Sequence, residues 1–401
     1  MILMMNREEQ WMLPEGVEEL LPERAAVIEQ LRRQLLDLYA SWGYELVFPP
    51  LIEFLESLLN GAGRDLERET FKLTDQLSGR LMGVRADITP QVARMDAHSL
   101  RRQGPSRLCY CSTALRTWPA GPGGSRIPYQ IGVELFGHGG VDSDAEVVLL
   151  MLETLQHSGL EGVTLDVGHV GIFRELVSRA ELGDDDTEVL TDILVRKARA
   201  ELEEFLAGRT LPDAVNRALE ELPWLAGDAA RVLPRARELL AGMDTALQAL
   251  DELEALTGRV RQQAPAVEIH LDPGELRGYH YHTGCLFAAY VQGLSEPVAK
   301  GGRYDRIGRV FGRARPATGF SADIKLLANG RRAPARTGIL APHAPEDTTL
   351  REQVRSLREQ GERVVQALPG ESAGPGESGC DRELVFRDGR WQAVSVKENG
   401  G

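Results

Sequence analysis

The stretch RLCYCSTALRTWPAGPGGSRIPYQIGVELFG, residues 107–137, holds two apolar runs separated by a short loop. RLCYCSTALRTW (107–118) and IPYQIGVELFG (127–137) both have the length and composition of strands. The PAGPGGS loop between them is rich in glycine and proline, as turns are. The stretch therefore predicts two neighbouring strands joined by a loop.

A hairpin precedes this stretch in the chain. TFKLTD (70–75) and RLMGVRAD (80–87) are strand-like, and QLSG forms the turn between them. Because hairpins dominate this part of the sequence, we predict an antiparallel sheet and the α+β fold class.

Before the hairpin, residues 22–42 predict a long helix. Ile28, Leu31, Leu35, Leu38 and Trp42 recur at alternating spacings of three and four, which places them on one helical face. YELVF (44–48) then predicts a strand that ends at two prolines. TPQVARMDAHSL (89–100) predicts a short helix with Thr89 as its cap and a proline in the first position.

After the stretch, the pattern alternates between helix and strand and then becomes helical. DAEVVLLMLETLQHSG (144–159) predicts a helix and VTLDVGH (163–169) a strand, while 173–263 is rich in Ala, Leu, Glu and Arg and predicts a helical insertion. Strands are predicted at VEIHLDPG (267–274) and through YHYHTGCLFAAYV (279–291), and a helix at FSADIKLLANG (320–330). The predicted organisation is one large unit, 1–330, a basic linker at 328–336, and a small C-terminal α/β unit, 337–401.

The overall composition is that of a globular protein with a net charge of -14. So acidic a chain favours partners other than nucleic acid, unless a basic patch is segregated on its surface. We expect no membrane span and no signal peptide. The four cysteines lack Cys-x-x-Cys spacing, so we expect reduced thiols, a cytoplasmic protein and no zinc site. His280 and His282 lack further ligands at familiar spacing, so no metal is expected.

Several polar residues fall on predicted strands and turns at spacings that let them share a face. These are Asp87, Thr89, Gln130, Glu134, Arg277, Tyr281, His282 and Tyr304. An even spacing of four puts Gln130 and Glu134 on the same side of a strand. Such a set would suit a small zwitterion, with carboxylates for its ammonium and Arg277 for its carboxylate. The alternative is that each of these side chains, taken singly, is a solvated surface residue.

Six segments occur in the order found in class II histidyl-tRNA synthetases, and the chain resembles that family over residues 12–330. The segments are GYELVFPPLIE, RADIT, LRTWPAGPGGSRIPYQIGVELFG, RGYHYHTG, GGRYD and PATGFSADIKLL. The resemblance implies a class II aminoacyl-tRNA synthetase-like core of six or seven antiparallel strands with flanking helices. It also implies that the first helix and strand are a dimer element.

The sequence departs from that family where the nucleotide would bind. Trp118 stands where motif 2 has a glutamate, and Lys325–Leu326 replaces the Glu-Arg pair of motif 3. Arg116 and Arg277 are kept. Because adenylate formation needs fixed cations at the phosphates, we expect the nucleotide half of the site to be lost, with Trp118 filling its space. The amino-acid half is expected to remain.

The departures themselves resemble a second family, the regulatory subunits of ATP phosphoribosyltransferase in histidine biosynthesis. RGYHYHTG with FAAY, GGRYD with FGR, and the tail segments GILAP and GCDREL carry this likeness. It implies a subunit without catalysis or cofactor, with L-histidine as effector at a site that includes Arg116. It also implies a short-form catalytic subunit as partner in a hetero-octamer.

The alternatives are a histidyl-tRNA synthetase with degenerate ATP motifs and a free-standing amino-acid-binding protein. Residues 337–401 contain eleven acidic and eight basic residues, which is unfavourable for gripping tRNA phosphates. We therefore expect no tRNA partner.

Overall fold

The computed structural model describes residues 11–60, 64–119, 121, 124–333, 337–371 and 374–396. The chain divides into two compact units, Met1–Arg331 and Arg332–Gly401. Each unit has a hydrophobic core of its own.

An eight-stranded sheet forms the centre of the first unit, in the order β1-β5-β6-β11-β10-β9-β7-β8. Its strands are β1 (Glu45–Leu46), β5 (Ser106–Thr113), β6 (Tyr129–Phe136), β7 (Val163–His169), β8 (Glu268–Leu271), β9 (Cys285–Val291), β10 (Ala299–Arg303) and β11 (Ala317–Asp323). The outermost pairs at the two edges, β1 with β5 and β7 with β8, are parallel, and the five inner pairs are antiparallel. The predicted α+β class with an antiparallel sheet is confirmed, with eight strands in place of six or seven.

One face of this sheet packs against long helices. Helix α1 (Pro22–Ser41) buries the predicted apolar face and ends just before Gly43, which has a φ of 83°. It packs beside α5 (Val141–His157). Strand β6 contributes Ile131, Val133 and Leu135 to the same core. Since side chains alternate along a strand, Gln130 and Glu134 face the opposite side of the sheet.

A three-stranded sheet in the order β2-β4-β3 contains the predicted hairpin. Its elements and their neighbours are β2 (Ile52–Phe54), α2 (Leu55–Leu58), α3 (Arg64–Glu69), β3 (Phe71–Thr74), β4 (Leu81–Val84), α4 (Thr89–Arg94) and a π-helical turn, Met95–Leu100. The expectation that Thr89 caps its helix is wrong. The helix already includes Thr89, whose hydroxyl bonds the Tyr110 hydroxyl at 3.1 Å instead of an amide of the first turn.

Helices fill the chain between β7 and β8. They are α6 (Val170–Arg179), α7 (Asp184–Val195), α8 (Arg199–Ala207), α9 (Asp213–Glu221), α10 (Ala229–Leu239) and α11 (Asp244–Gln263), with a 3-10 turn at Leu222–Trp224. We call residues 170–263 the helical segment. Helix α11 packs on α5 and α6, so this segment shares the core of the large sheet.

Two predicted elements are wrong in part. Residues 279–284 form a turn, and β9 begins only at Cys285. The turn arises because Gly278 has a φ of 72° and its carbonyl accepts the amides of Tyr281 and His282. Of the helix predicted over 320–330, residues 320–323 belong to β11 and only α12 (Ile324–Leu327) is helical. The Asp323 carboxylate marks the change by accepting the Lys325 amide.

The second unit contains the predicted strands and helix. They are β12 (Ile339–Ala341), α13 (Thr348–Glu359), β13 (Val364–Gln366), β14 (Arg382–Arg387) and β15 (Arg390–Ser395). Strand β12 pairs in parallel with β13 and β14, and β14 and β15 form the predicted hairpin.

Within the described part of the chain, we find no helix both long and apolar enough to cross a membrane.

Candidate functional site

A buried carboxyl group, that of Glu134, lies in the middle of the large sheet on the face opposite α1 and α5. Glu134 is 1% exposed. Gly319 is its register partner on β11, and a Cβ built on Gly319 would lie 1.7 Å from Glu134 Oε2. The carboxyl group therefore lies across the neighbouring strand, in space that only a glycine leaves open.

Hydroxyl groups surround this carboxyl group. The Tyr110 hydroxyl donates to Oε1 at 3.2 Å, and the Tyr304 hydroxyl donates to Oε2. Thr89 joins the group through its bond with Tyr110. We call Thr89, Tyr110, Glu134 and Tyr304 the Glu134 cluster. In the part of the chain that the structure describes, the hydrogen-bond partners of Glu134 include no cation.

Burial dominates the electrostatics of Glu134. It raises the pKa of this carboxyl group to about 8, although hydrogen bonds from Tyr304 and Thr89 act to lower it. A buried carboxyl group without a counterion is stabilised when a cation enters. The cluster thus has the chemistry to receive an ammonium or imidazolium group.

Asp87 and Gln130 extend the site along the sheet. Gln130 Nε2 donates to Asp87 Oδ1 at 2.7 Å, while Gln130 Oε1 accepts the Ile88 amide at 3.1 Å. The same Asp87 oxygen accepts the Thr89 amide at 3.2 Å. These bonds fix both side chains, so a second carboxylate is held in place at the edge of the cluster.

The turn that carries Tyr281 and His282 borders the site next to the end of β10, where the Thr283 amide bonds the Arg303 carbonyl. The Tyr281 and Tyr304 rings lie 5.0 Å apart with a 30° tilt. Tyr281 Oη and His282 Nδ1 are both buried and have no hydrogen-bond partner in the structure. Burial lowers the pKa of His282 to about 4, so this imidazole is neutral. Two buried polar atoms without partners are a costly arrangement that a polar ligand would relieve.

Two predicted site residues lie apart from this cluster. Arg277 is exposed, and its guanidinium bonds Glu275 and Tyr290 instead of pointing to a free position. Arg116 bonds the Ala86 carbonyl at 3.3 Å and lies 3.7 Å from Glu69. The structure thus joins Asp87, Thr89, Gln130, Glu134, Tyr281 and Tyr304 through direct contacts, with His282 beside Tyr281. It gives Arg116 and Arg277 other partners.

Sequence reasoning missed Tyr110. This residue is fully buried and contacts both Thr89 and Glu134. Its signal was available, because alternation along 106–113 places Tyr110 on the side opposite Cys109 and Cys111. The missing information was the pairing register of β5 and β6.

Comparisons with known proteins match both parts of the chain. A family model described as histidyl-tRNA synthetase matches residues 16–327. A second model, described as the ATP phosphoribosyltransferase subunit HisZ C-terminal domain, matches residues 336–394. An ATP phosphoribosyltransferase regulatory subunit from Thioalkalivibrio sulfidiphilus is 55% identical over 392 residues, covering 97% of this chain and 98% of its own. One from Chromohalobacter salexigens is 53% identical, covering 97% and 99%.

The chain belongs to the ATP phosphoribosyltransferase regulatory subunit family.

Solved structures show the same fold. A Bacillus halodurans chain described as an ATP phosphoribosyltransferase regulatory subunit/histidyl-tRNA synthetase superposes with a TM-score of 0.82 at 28% identity, covering 93% of this chain and 97% of that one. A histidyl-tRNA synthetase from Nostoc superposes with a TM-score of 0.77 at 17% identity, covering 96% and 97%. The latter likeness concerns the fold alone.

In this family member, the two residues that replace the Glu-Arg pair of motif 3 have partners within the chain. Lys325 is buried, and its ammonium bonds Glu18 at 2.7 Å and Ser125 at 2.9 Å. Leu326 packs against the main core. That Trp118 fills the space of the nucleotide stays a prediction; its side chain is 72% exposed in the structure. The strand-like run ends at Thr113, so Trp118 lies in the loop beyond β5.

His169, Glu252 and Cys285 form a group whose ligand atoms lie within 4.8 Å of one another. His169 Nδ1 accepts the Gly171 amide at 3.0 Å, so the ring proton lies on Nε2 and is donated to Glu252 at 3.1 Å. A metal on Nε2 would require that proton to move to Nδ1. There it would face the Gly171 amide hydrogen, and the hydrogen bond from that amide would be lost. The geometry therefore suits a helix cap better than a metal ligand.

Proposed function

We propose that this chain is a non-catalytic subunit that binds L-histidine at the Glu134 cluster. It activates the short-form catalytic subunit of ATP phosphoribosyltransferase and transmits feedback inhibition to it. The observation that carries the proposal is the buried Glu134 carboxyl group, which lies among hydroxyl groups without a cation. A ligand ammonium would supply the missing charge.

Histidine fits the remaining polar groups. Its ammonium would pair with Glu134, and the adjoining Asp87–Gln130 pair offers further oxygens for a donor. Its imidazole has a nitrogen that accepts and one that donates, which matches the unpaired Tyr281 hydroxyl and His282 ring nitrogen. The ligand carboxylate would bind Arg277. The Arg277 guanidinium must then leave Glu275 and bond the ligand instead.

The absence of catalysis is supported by the other half of the site. Transfer of an adenylate requires cations fixed on the phosphates, each worth about 3–4 kcal/mol. Lys325 is neutralised by Glu18, and Leu326 offers no charge. The acidic balance of the C-terminal unit supports a function without tRNA.

A catalytic partner is implied by the name of the family, and we place the chain with the short-form subunit in a hetero-octamer. Self-association would use the region of α1 and β1. Leu46, Phe48, Leu51 and Ile52 are exposed in and after β1. The four cysteines are free and buried, which fits a reducing compartment such as the cytoplasm.

The test is calorimetric titration of the purified chain with L-histidine and then with ATP, followed by reconstitution with a short-form catalytic subunit. We expect histidine binding, no ATP binding, and catalytic activity that depends on this chain and falls with histidine. Tight ATP binding with charging of tRNA would support the synthetase alternative. Histidine binding without any effect on the catalytic subunit would support a free-standing binding protein.

A further inference from the structure

The turn at residues 278–284 lies outside the strands that carry Glu134 and Gln130. Its internal bonds are the Tyr281 and His282 amides to the Gly278 carbonyl, both at 2.9 Å. The Thr283 amide reaches the Arg303 carbonyl at 2.6 Å. A turn with so few bonds of its own needs external contacts to hold Tyr281 and His282 over the Glu134 cluster.

Arg174 of α6 supplies such contacts. Its Nη2 donates to the Tyr279 carbonyl at 3.1 Å and to the His282 carbonyl at 2.6 Å. Its guanidinium also lies 5.2 Å from the centre of the Tyr279 ring, which packs edge-on against Phe173 at 5.0 Å. One side chain of the helical segment thus holds the turn at two points on either side of Tyr281.

Arginine suits this position for a geometric reason. Its planar group can bond two carbonyl oxygens while its face lies against an aromatic ring. A lysine ammonium carries the same charge as a point and has no planar face to lie against the ring.

A second contact ties the same loop to the helical segment further upstream. The Lys197 ammonium bonds Asp272 Oδ2 at 3.0 Å and the Pro223 carbonyl at 2.7 Å. Gly274 approaches Pro223 so closely that a Cβ there would lie 2.8 Å from the proline Cα. The segment 272–284 is therefore held by the helical segment at both ends.

We propose that Arg174 is a positioning residue that latches the 278–284 turn over the site and so couples the helical segment to occupancy of the site. This inference rests on the proposed function, because it assigns the latch to the histidine pocket. It gives the helical segment a role in regulation: a ligand that orders the turn also stabilises the contact with α6, and a change at α6 alters ligand affinity.

The experiment is hydrogen exchange of the 279–284 amides in the full chain, with and without L-histidine, in wild type, Arg174→Ala and Arg174→Lys. Arg179→Ala is the matched control, since Arg179 lies on the same helix and bonds Glu175 and the Gly242 carbonyl. Losing two bonds to a charged donor should speed exchange at the turn by at least about 10-fold in Arg174→Ala. Histidine affinity should fall by a similar factor, with Arg174→Lys between this variant and wild type.

Exchange at the turn that is equal in wild type and Arg174→Ala would overturn the latch. If the alanine variant does not fold, Arg174→Lys decides: wild-type exchange and affinity in that variant would likewise reject it. A wild-type chain that binds no histidine refutes the proposed function, while exchange without ligand still tests the latch on its own.

Discussion

The two halves of the synthetase-like site differ in what their charged groups have as partners. In the amino-acid half, Glu134 is buried without a cation and raised in pKa. In the nucleotide half, Lys325 is buried with Glu18 and Ser125 as partners. A buried carboxyl group without a cation can still gain a charge partner from a ligand, whereas a cation that is already paired has no such gain left. We therefore infer that the first half can bind a ligand and that the second half has become structural.

The largest effect is expected from removing the unpaired group. Glu134→Ala should weaken L-histidine binding by on the order of 100- to 1,000-fold, because a buried ammonium would lose its charge partner. Calorimetry measures this, with Glu268→Ala as control, since Glu268 is an exposed residue on β8. Unchanged affinity in Glu134→Ala would place the pocket elsewhere.

The raised pKa of Glu134 predicts a pH dependence of stability. Below pH 4.5 this group is protonated in both the folded and unfolded states. Between pH 4.5 and about 8 only the folded state keeps the proton, so the free energy of unfolding falls as pH rises through this window. The slope from one proton is about 1.4 kcal/mol per pH unit.

Denaturant unfolding of wild type and Glu134→Gln across pH 5–8 isolates this contribution. Contributions from other groups are the same in both proteins and cancel in their difference. The free energy of unfolding should therefore fall less steeply with pH in Glu134→Gln than in wild type. His282 acts in the opposite direction, because burial lowers its pKa from 6.5 to about 4, and stability is lost as pH falls through that range. Identical slopes in the two proteins would show that Glu134 is ionised in the folded state.

A smaller effect is expected in the nucleotide half. Leu326→Arg should lower the free energy of unfolding by about 1–3 kcal/mol, since a longer charged side chain enters a packed position. It should not create ATP binding or tRNA charging, because Lys325 stays paired with Glu18. Leu326→Met serves as control in the same denaturant and ATP titrations, and ATP binding by the arginine variant would reverse the distinction between the halves.

The smallest effect is expected at Trp118. Trp118→Ala should change the free energy of unfolding by less than about 0.5 kcal/mol, as is usual for exposed positions. Histidine affinity should stay unchanged in calorimetry. Gain of ATP binding in this variant would identify the exposed indole as the group that excludes the nucleotide.

Much of the fold was predictable because its signals are periodic. The face of α1 and the hairpin of β3 and β4 each follow from spacing within a short stretch. The turn at 278–284 was not, because its alternating aromatic and histidine residues resemble a strand, while a single positive φ at Gly278 decides the outcome. A local sequence pattern does not predict whether a glycine adopts a positive φ, because that depends on contacts made in the folded chain.

The site residues likewise divide into those that spacing predicts and those whose contacts depend on the folded structure. Glu134 and Gln130 follow from even spacing on one strand, and Asp87, the partner of Gln130, follows from its place at the end of a predicted strand. Arg277 was expected to be free for a ligand, but its pairing with Glu275, two residues away, depends on side-chain direction. Tyr110 joined the site only through the register of two strands, which no single stretch of sequence specifies.

The glycines of the central strands have a consequence for redesign. A methyl group on Gly319 or Gly132 would meet Glu134 or the backbone of β11 at 2.4 Å or less. The floor of the site, the surface formed by the central strands, is thus main chain at these glycines. A single substitution there cannot change its shape without displacing a strand. A protein engineer who wished to retune this subunit for another amino acid would have to work on its walls, Thr89, Tyr281 and His282, and leave the floor intact.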